Sequence, residues 1–432
     1  MPKVSAGDTA WLLAAAALVM FMTPGLAFFY GGLVRAKNVL GTIMQSFVAL
    51  GLVTILWVVL GYTLAFGPDR GGVIGGLNFA GLAGVGGTPN DFAPTVPATA
   101  YMAFQLMFAI ITPALIAGAF AERMKFSGYL LFIGLWSILV YAPIAHWQWG
   151  GGFLGAHVHS IDFAGGAVVH ANAGAAALAT AIYLGKRRRF GSPALAPHNV
   201  PFVMLGAGIL WFGWFGFNAG SAFGAGRVAS SAFVNTQIGA AAAMLAWLAA
   251  ERVRNGKGTT VGVATGAVAG LAAITPASGY VQPWAALVIG AAAGLICFLA
   301  VGVKDRLGYD DSLDVVGVHM VGGMLGVVLT GAFASLAINP AGATGSLAQM
   351  GRQTVLAVVT VGYSFVMTMV ILKVSDLLLG LRVTEENETL GLDFTQHGEV
   401  GYRWAEVPDA EADSSPGTSV VPPGGIEPSH PD

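Results

Sequence analysis

Eleven stretches of this chain are apolar over about 20 residues, the length needed to cross a bilayer. They run at 9–33, 39–66, 99–121, 127–149, 162–184, 199–220, 231–250, 260–277, 283–303, 313–336 and 353–380. In hydrocarbon each backbone polar group must be satisfied inside the structure, and for runs of this length that means helices. The chain has 432 residues, of which 55% are hydrophobic and only 10% charged. Soluble domains carry about 25% charged residues, so a soluble fold of this size could not cover its surface. The expected class is therefore an all-α polytopic membrane protein.

The distribution of Lys and Arg tests the count, because short inner loops collect basic residues. With the N-terminus outside, inner segments hold Arg35, Lys37, Arg123, Lys125, 186–189, Arg252, Arg254, Lys257, Lys304, Arg306, Lys373, Arg382 and Arg403. Outer segments hold only Lys3, Arg70, Arg227 and Arg352, a division of 16 to 4 that uses all 20 basic residues. Eleven transmembrane helices with N-out/C-in topology follow. Five helices per half reverse the entry side of the second half, which predicts an inverted 5+5 repeat plus a final helix. The transmembrane domain is read as 1–381, a charged segment ordered against the inner face as 382–407, and a Pro-, Ser-, Gly- and acid-rich disordered tail as 408–432.

Glycine is abundant, 62 of 432 residues; inside apolar segments small residues let helix backbones approach closely. The single cysteine, Cys297, excludes an internal disulfide. A net charge of −2 gives no sign of a nucleic-acid partner, and no cleaved signal peptide is expected.

Against this background two histidines stand out. His170 lies in DFAGGAVVHANAG, eight residues after Asp162, and His319 lies in DVVGVHMVGG. Aligning them aligns Gly174 with Gly323. Helix 5 starts outside and helix 10 inside, so at 1.5 Å per residue the histidines sit about 12 Å and about 10 Å from opposite faces, both in the middle third of the membrane. Ionisable groups there are functional candidates. A paired set of rings could share one proton and offer its outer nitrogens to a small molecule. The plain alternative is two unrelated histidines bonded to carbonyls, and two ligands are too few for a metal site.

Asp162 reads as a helix N-cap whose charge also reaches the outer mouth. Trp149 ends helix 4 at a depth close to that of Ser221, a pairing that could hold a small cation by cation–π attraction and one hydrogen bond; a belt anchor is the plain reading of Trp149. Phe108 and Phe217 fall slightly deeper and could converge as an apolar constriction above the histidines. His146, His157 and His159 read as surface or interfacial groups, 186–189 as a basic anchor with lipid-headgroup contact, and Gln105, Asn172 and Asn218 as helix–helix contacts. No nucleophile–base set supports an enzyme.

Together these residues resemble the ammonium transporter (Amt/Mep/Rh) superfamily, in its bacterial Amt branch, over nearly the whole chain. The resemblance runs from FMTPGLAFFYGGLVRAKNVL at 21–40, through AFAERMKFSGYLLF, PIAHWQWGGGFL, WFGWFGFNAGSA and TPASGY, to GLDFTQHGEVGY at 391–402. It implies eleven helices with one pore per subunit of a homotrimer. Trp149, Phe108 and Ser221 match an external ammonium site, Phe108 with Phe217 a phenylalanine gate, His170 with His319 the twin histidines of the pore, and Asp162 an acidic residue near the outer site. The carboxyl-terminal segment resembles a regulatory region that touches PII-family signal proteins. Ammonium, or methylammonium as its analogue, is the implied substrate, with no cofactor. The loop from Trp149 to Asp162 is one residue longer than in the enterobacterial type, and the 408–432 tail matches nothing in the family.

The implied mechanism separates ammonium from potassium by removing a proton, which potassium lacks, so that neutral ammonia passes the histidines. An ammonium sensor is the competing reading. An ion-coupled carrier of a larger solute would require mid-span carboxylates, which these runs lack.

Overall fold

The computed structural model describes residues 4–192 and 195–402. Lys3, residues 403–407 of the carboxyl-terminal segment and the 408–432 tail lie outside the described residues.

Helices follow the apolar runs: α1 (Ala6–Leu33), α2 (Ala36–Phe66), α3 (Ala98–Phe120), α4 (Phe126–Ala156), α5 (Gly166–Leu184), α6 (Val200–Gly220), α7 (Arg227–Asn255), α8 (Thr260–Ile274), α9 (Pro283–Leu307), α10 (Val316–Phe333) and α11 (Leu347–Leu379). Among the described residues ten of them are long and apolar enough to cross a membrane; α8, with 15 residues, is shorter. A rise of about 22 Å falls short of the 260–277 run. The helix stops because Pro276 has no N–H to continue the ladder. The turn beyond it is held by Trp214 Nε1 donating to Thr275 Oγ1 at 2.8 Å and Asn235 Nδ2 donating to the carbonyls of Ser278 and Val281, both at 2.8 Å. This turn braces the head of α5, for Phe163 N donates to Pro276 O at 3.2 Å.

Small residues set the helix spacing. A Cβ on Gly206 of α6 would stand 2.2 Å from Phe29 N of α1, and one on Gly290 of α9 would stand 2.3 Å from Gly239 O of α7. Such close approach is what packs helices that gain nothing from hydrophobic exclusion in lipid. Large apolar residues point outward instead, Phe212, Leu245, Leu287, Leu299 and Val358 each being more than half exposed.

At the end bearing the basic clusters, charges are buried and paired. Glu122 Oε1 accepts from Arg35 N and Nε and from Asn38 Nδ2, and its Oε2 meets Arg187 Nη1 at 3.2 Å. Arg187 also forks onto Asp310, with Nε to Oδ2 and Nη2 to Oδ1 each at 2.9 Å. Burial works to raise the Glu122 carboxyl, but Arg187 and Arg35 overcome it and hold the group below its ordinary range. The expectation of a lipid-facing anchor at 186–189 therefore does not extend to Arg187, because a buried guanidinium needs carboxylate partners.

The carboxyl-terminal segment docks on the same end through two short helices, α12 (Glu385–Leu390) and α13 (Leu392–His397). Asp393 Oδ2 and Oδ1 accept from Leu40 N at 3.0 Å and Gly41 N at 2.8 Å, capping the first turn of α2. Glu388 Oε1 accepts from Arg188 N at 2.6 Å, and Gln396 Oε1 accepts from Phe126 N at 2.6 Å.

Candidate functional site

The head of α5 is built by one carboxylate. Asp162 Oδ1 accepts from Gly165 N and Gly166 N at 2.9 and 2.8 Å, and Oδ2 accepts from Ala167 N and Val168 N at 2.8 and 3.1 Å. Four orphan donors of a helix N-terminus are thus satisfied at once. Gly165 takes φ +111, a left-handed conformation open to glycine, which lets the chain fold back over the carboxylate. Burial pushes the Asp162 carboxyl above its ordinary value, while the four N–H groups favour the charged form. With the carboxylate's lone pairs taken up, Asp162 meets Trp149 through its backbone: its carbonyl accepts from Trp149 Nε1 at 2.8 Å, which fixes the indole.

Trp149, Phe108 and Ser221 line one cavity of about 750 Å³, open at the Asp162 end of the helices. Trp149 meets Phe108 edge-on at 6.1 Å, and Ser221 Oγ donates to Phe217 O at 2.9 Å while its lone pairs remain available. The floor of the cavity is Phe108 stacked on Phe217, with centroids 4.2 Å apart and planes at 29°. Both rings are fully buried.

His170 lies beyond Phe217, ring centroids 5.9 Å apart. His170 and His319 meet at Nδ1···Nδ1 3.2 Å, with rings 5.2 Å apart and inclined by 18°. At that distance one nitrogen donates and the other accepts, so the pair holds a single proton between its rings. Both residues occupy π turns, Gly166–Ala171 and Val316–Met320; an extra residue per turn rotates each ring inward. The crossing is made by the two aligned glycines. A Cβ on Gly174 would stand 2.3 Å from Met320 N, and one on Gly323 would stand 2.8 Å from Ala171 N. His170 Nε2 has no partner among the described residues and faces a narrow apolar lumen of about 10 Å³ lined by Met22, Tyr30, Leu115, Trp214 and both histidines.

The structure thus brings together all seven residues singled out from sequence. It also adds others. Trp214 stacks on His170 at 5.3 Å and 23°; the signal was its position three residues before Phe217, on the same helix face. Gln105 is a cavity-lining residue rather than a helix–helix contact, since its Nε2 bonds Tyr101 OH of its own helix and its Oε1 is buried without a partner among the described residues. Asn218 does bridge helices, Nδ2 donating to Thr236 Oγ1 at 2.9 Å. Asp311 is the counterpart of Asp162, again eight residues before its histidine, and its Oδ2 accepts from Val316 N at 2.7 Å. Burial raises its carboxyl to about 6.

His146 departs from the sequence reading. It is fully buried, with Nδ1 2.9 Å from Ala65 O and Nε2 2.9 Å from Asp69 Oδ1. The short hairpin of β1 (Asp69–Arg70) and β2 (Ile74–Gly75) folds over the end of α4 and covers the ring. His157 and His159 are exposed, as expected.

Known proteins resemble this chain over most of its length. The model of the Ammonium Transporter Family matches residues 10–402. An ammonium transporter of Mycobacterium tuberculosis is 51% identical, the match covering 92% of this chain and 91% of that protein. One from Bacillus subtilis is 49% identical, covering 92% and 98%. Among solved structures, Saccharomyces cerevisiae Mep2 superposes with a TM-score of 0.84 at 36% identity over 89% of each chain. A structure described as a sensor Amt protein gives 0.84 at 28% identity, covering 90% of this chain and 98% of the other. With a family match across almost its whole length and ten membrane-crossing helices among its described residues, the chain is a multi-pass membrane protein belonging to the ammonium transporter family.

Proposed function

We propose that this chain takes ammonium from the outer face, strips one proton from it and conducts ammonia through the histidine-lined lumen. The observation that carries the reading is the single-proton His170–His319 pair in an apolar passage, closed from the outer cavity by the Phe108–Phe217 stack. Ammonium binds at the outer cavity, where the Trp149 and Phe108 rings attract the cation and Ser221 Oγ accepts a hydrogen bond. Asp162 holds Trp149 in place and contributes negative potential. The apolar lumen disfavours charge, so the proton leaves before the Phe gate is passed. Ammonia then exchanges hydrogen bonds with His170 Nε2 and its partner ring. Potassium, with no proton to lose, meets the same lumen as an unrelieved charge.

In this reading α8 completes the bilayer crossing with the turn that follows it. The chain has eleven spans with the N-terminus outside, in an inverted 5+5 repeat. The reciprocal glycine contacts and the matching Asp162 and Asp311 caps support the repeat. Three copies assemble as a homotrimer with one pore each, and the docked 382–401 part of the carboxyl-terminal segment forms the inner surface that a PII-family protein would touch.

Current measured on an ammonium pulse in proteoliposomes, with charge counted per translocated nitrogen, tests the scheme. Replacing both histidines by alanine should alter ammonium/potassium discrimination or abolish transport; unchanged discrimination would sink proton stripping. The likeness to a sensor Amt structure favours one second reading, that the chain reports ammonium and transports little. Methylammonium uptake into a transport-deficient cell separates the two.

A further inference from the structure

Of the three buried histidines among the described residues, His146 alone takes no part in the proposed passage. Both of its ring nitrogens face acceptors, Nδ1 standing 2.9 Å from Ala65 O and Nε2 2.9 Å from Asp69 Oδ1. A neutral imidazole has one N–H, so it would satisfy one oxygen and set a bare lone pair against the other. Asp69 does not supply the missing proton. Its side chain is 40% exposed, and the bond from the His146 ring holds its carboxyl below the ordinary value. The proton belongs to the ring, an imidazolium with one N–H for each oxygen. The elements packed against 142–149 also carry Tyr62, Tyr141 and His170. Among the described residues only Asp69 bonds the ring through a side chain, and Arg70 beside it is exposed.

This charge sits at the junction that ends α4. Asp69 Oδ1 and Oδ2 also accept from Gly72 N at 2.9 and 3.0 Å, which closes the turn between β1 and β2. That turn is tied to α4 in its own right, Phe153 N donating to Gly72 O at 3.0 Å and Trp147 Nε1 to Val73 O at 2.7 Å. On the helix side, His146 O accepts from Gly150 N and Gly152 N, both at 2.9 Å, just past Trp149. Trp149 follows His146 by three residues, on the same helix face. Its indole is thus held by Asp162 O on one side and by the hairpin-clamped turn on the other.

We propose that His146 is a positioning residue for the outer site: as an imidazolium it clamps the β1–β2 hairpin onto the last turn of α4 and so sets the Trp149 indole against the substrate, and capture weakens when the ring loses its second proton. The inference rests on the transport reading for the part that Trp149 plays in capture.

The test measures methylammonium KM and maximal rate from about pH 6 to about pH 9, where histidines change charge, in the parent, Asp69→Asn and Asp69→Ala. In Asp69→Asn the amide oxygen still accepts from Gly72 N. Its NH2 donates to Nε2 of a neutral ring whose Nδ1 keeps its bond to Ala65 O, so the bonds survive without the charge. The parent KM should rise about three- to tenfold toward the alkaline end, the effect of weakening one cation–π contact, with the maximal rate within about twofold. Asp69→Asn should hold the parent's neutral-pH KM across the range, and Asp69→Ala should show the raised KM throughout. Because Asp69→Asn leaves the His170–His319 pair in place, a flattened profile assigns the pH dependence to His146. A parent KM that does not vary, an unflattened profile in Asp69→Asn, or a parent-like KM in Asp69→Ala would overturn the proposal. If the protein takes up no methylammonium, the transport reading fails separately, and the clamp is read by NMR of the purified protein. At neutral pH the His146 ring should show two protonated nitrogens in the parent and one in Asp69→Asn. The Trp149 Nε1–H should be protected from hydrogen exchange in both and lose that protection in Asp69→Ala. A singly protonated ring in the parent, or full protection in Asp69→Ala, overturns the proposal without reference to transport.

Discussion

Replacing Gly174 by alanine tests whether the glycine crossing holds the histidines together. The new Cβ would lie 2.3 Å from Met320 N and 2.6 Å from Met320 Cα, and ordinary contact begins at 3.4 Å. These are backbone atoms, so no side chain can swing aside; α10 must move away from α5 by about 1 Å. His319 is the residue next to Met320. Carried along, its Nδ1 would leave that of His170 by a similar amount, from 3.2 Å to beyond the limit of a hydrogen bond. Overpacking of this kind costs about 1–3 kcal/mol of stability, which a well-packed membrane domain survives. Misplacing reacting groups by about 1 Å can slow a reaction by up to about a hundredfold. Methylammonium uptake should therefore fall by at least about tenfold, with protein in the membrane near the parent level by immunoblot. Gly362→Ala on α11, where a Cβ meets nothing within 4 Å, is the matched control and should transport normally. Gly323→Ala should reproduce the defect from the other side, its Cβ falling 2.6 Å from Gly166 O. Parent-level uptake in Gly174→Ala, in protein whose histidine rings are shown by crystallography to have separated, would refute the need for the pair.

Asp162→Asn should destabilise the head of α5, because an amide can accept from two of the four N–H groups but sets its own NH2 against the others. Two unsatisfied buried donors cost about 2–6 kcal/mol, to be read as a lower Tm together with loss of uptake. Trp149→Phe keeps an aromatic face but loses the bond to Asp162 O, so it should weaken methylammonium KM more than it lowers the maximal rate. Asp311→Asn should do the reverse of Asp162→Asn in stability: the native carboxyl is raised from 3.8 to about 6, so the folded state is penalised above pH 6 and relieved as pH falls below it. The amide still accepts from Val316 N, and removing the charge should raise stability at pH 8 by on the order of 3 kcal/mol, read as a higher Tm, with the gain disappearing near pH 4. Arg187→Gln leaves Asp310 buried without its forked guanidinium and Glu122 with Arg35 alone, and should cost about 3–5 kcal/mol. In the parent both carboxylates are held below their ordinary 4.5 and 3.8, so the stability they contribute is present above those values and is lost as pH falls through the depressed ones. Acid unfolding followed by circular dichroism should show that loss, and Arg187→Gln should show a smaller one, since Arg35 still faces Glu122.

The membrane class and the histidine pair were legible because their signals are one-dimensional. Hydropathy over about 20 residues is set by the solvent, and a repeated His-x3-Gly spacing survives reversal of the helix direction. What escaped was decided by geometry that spacing does not carry. His146 reads as interfacial from its place at the end of α4, yet a hairpin some 77 residues away in sequence brings Asp69 onto its ring. Arg187 sits in a run of four basic residues, and nothing local separates the one that is buried against Asp310 from its exposed neighbours. Gln105 looks like any polar residue in a span until the fold sets it in the cavity wall with its carbonyl oxygen buried and unpartnered among the described residues. Asp311 is the informative case, because its signal was present. The second motif, DVVGVHMVGG, reads from Asp314, whereas the eight-residue Asp–His interval of the first points to Asp311. Asp314 takes φ +64 and pairs with Lys304 instead. A cap must lie just ahead of the N–H groups it satisfies, and Asp311 Oδ2 reaches Val316 N at 2.7 Å. Requiring the second half to satisfy its helix N-terminus as the first does would have selected it. In this repeat the caps and the small residues give one register, Asp162, His170 and Gly174 falling on Asp311, His319 and Gly323, and the cap alone says where each helix has its first turn.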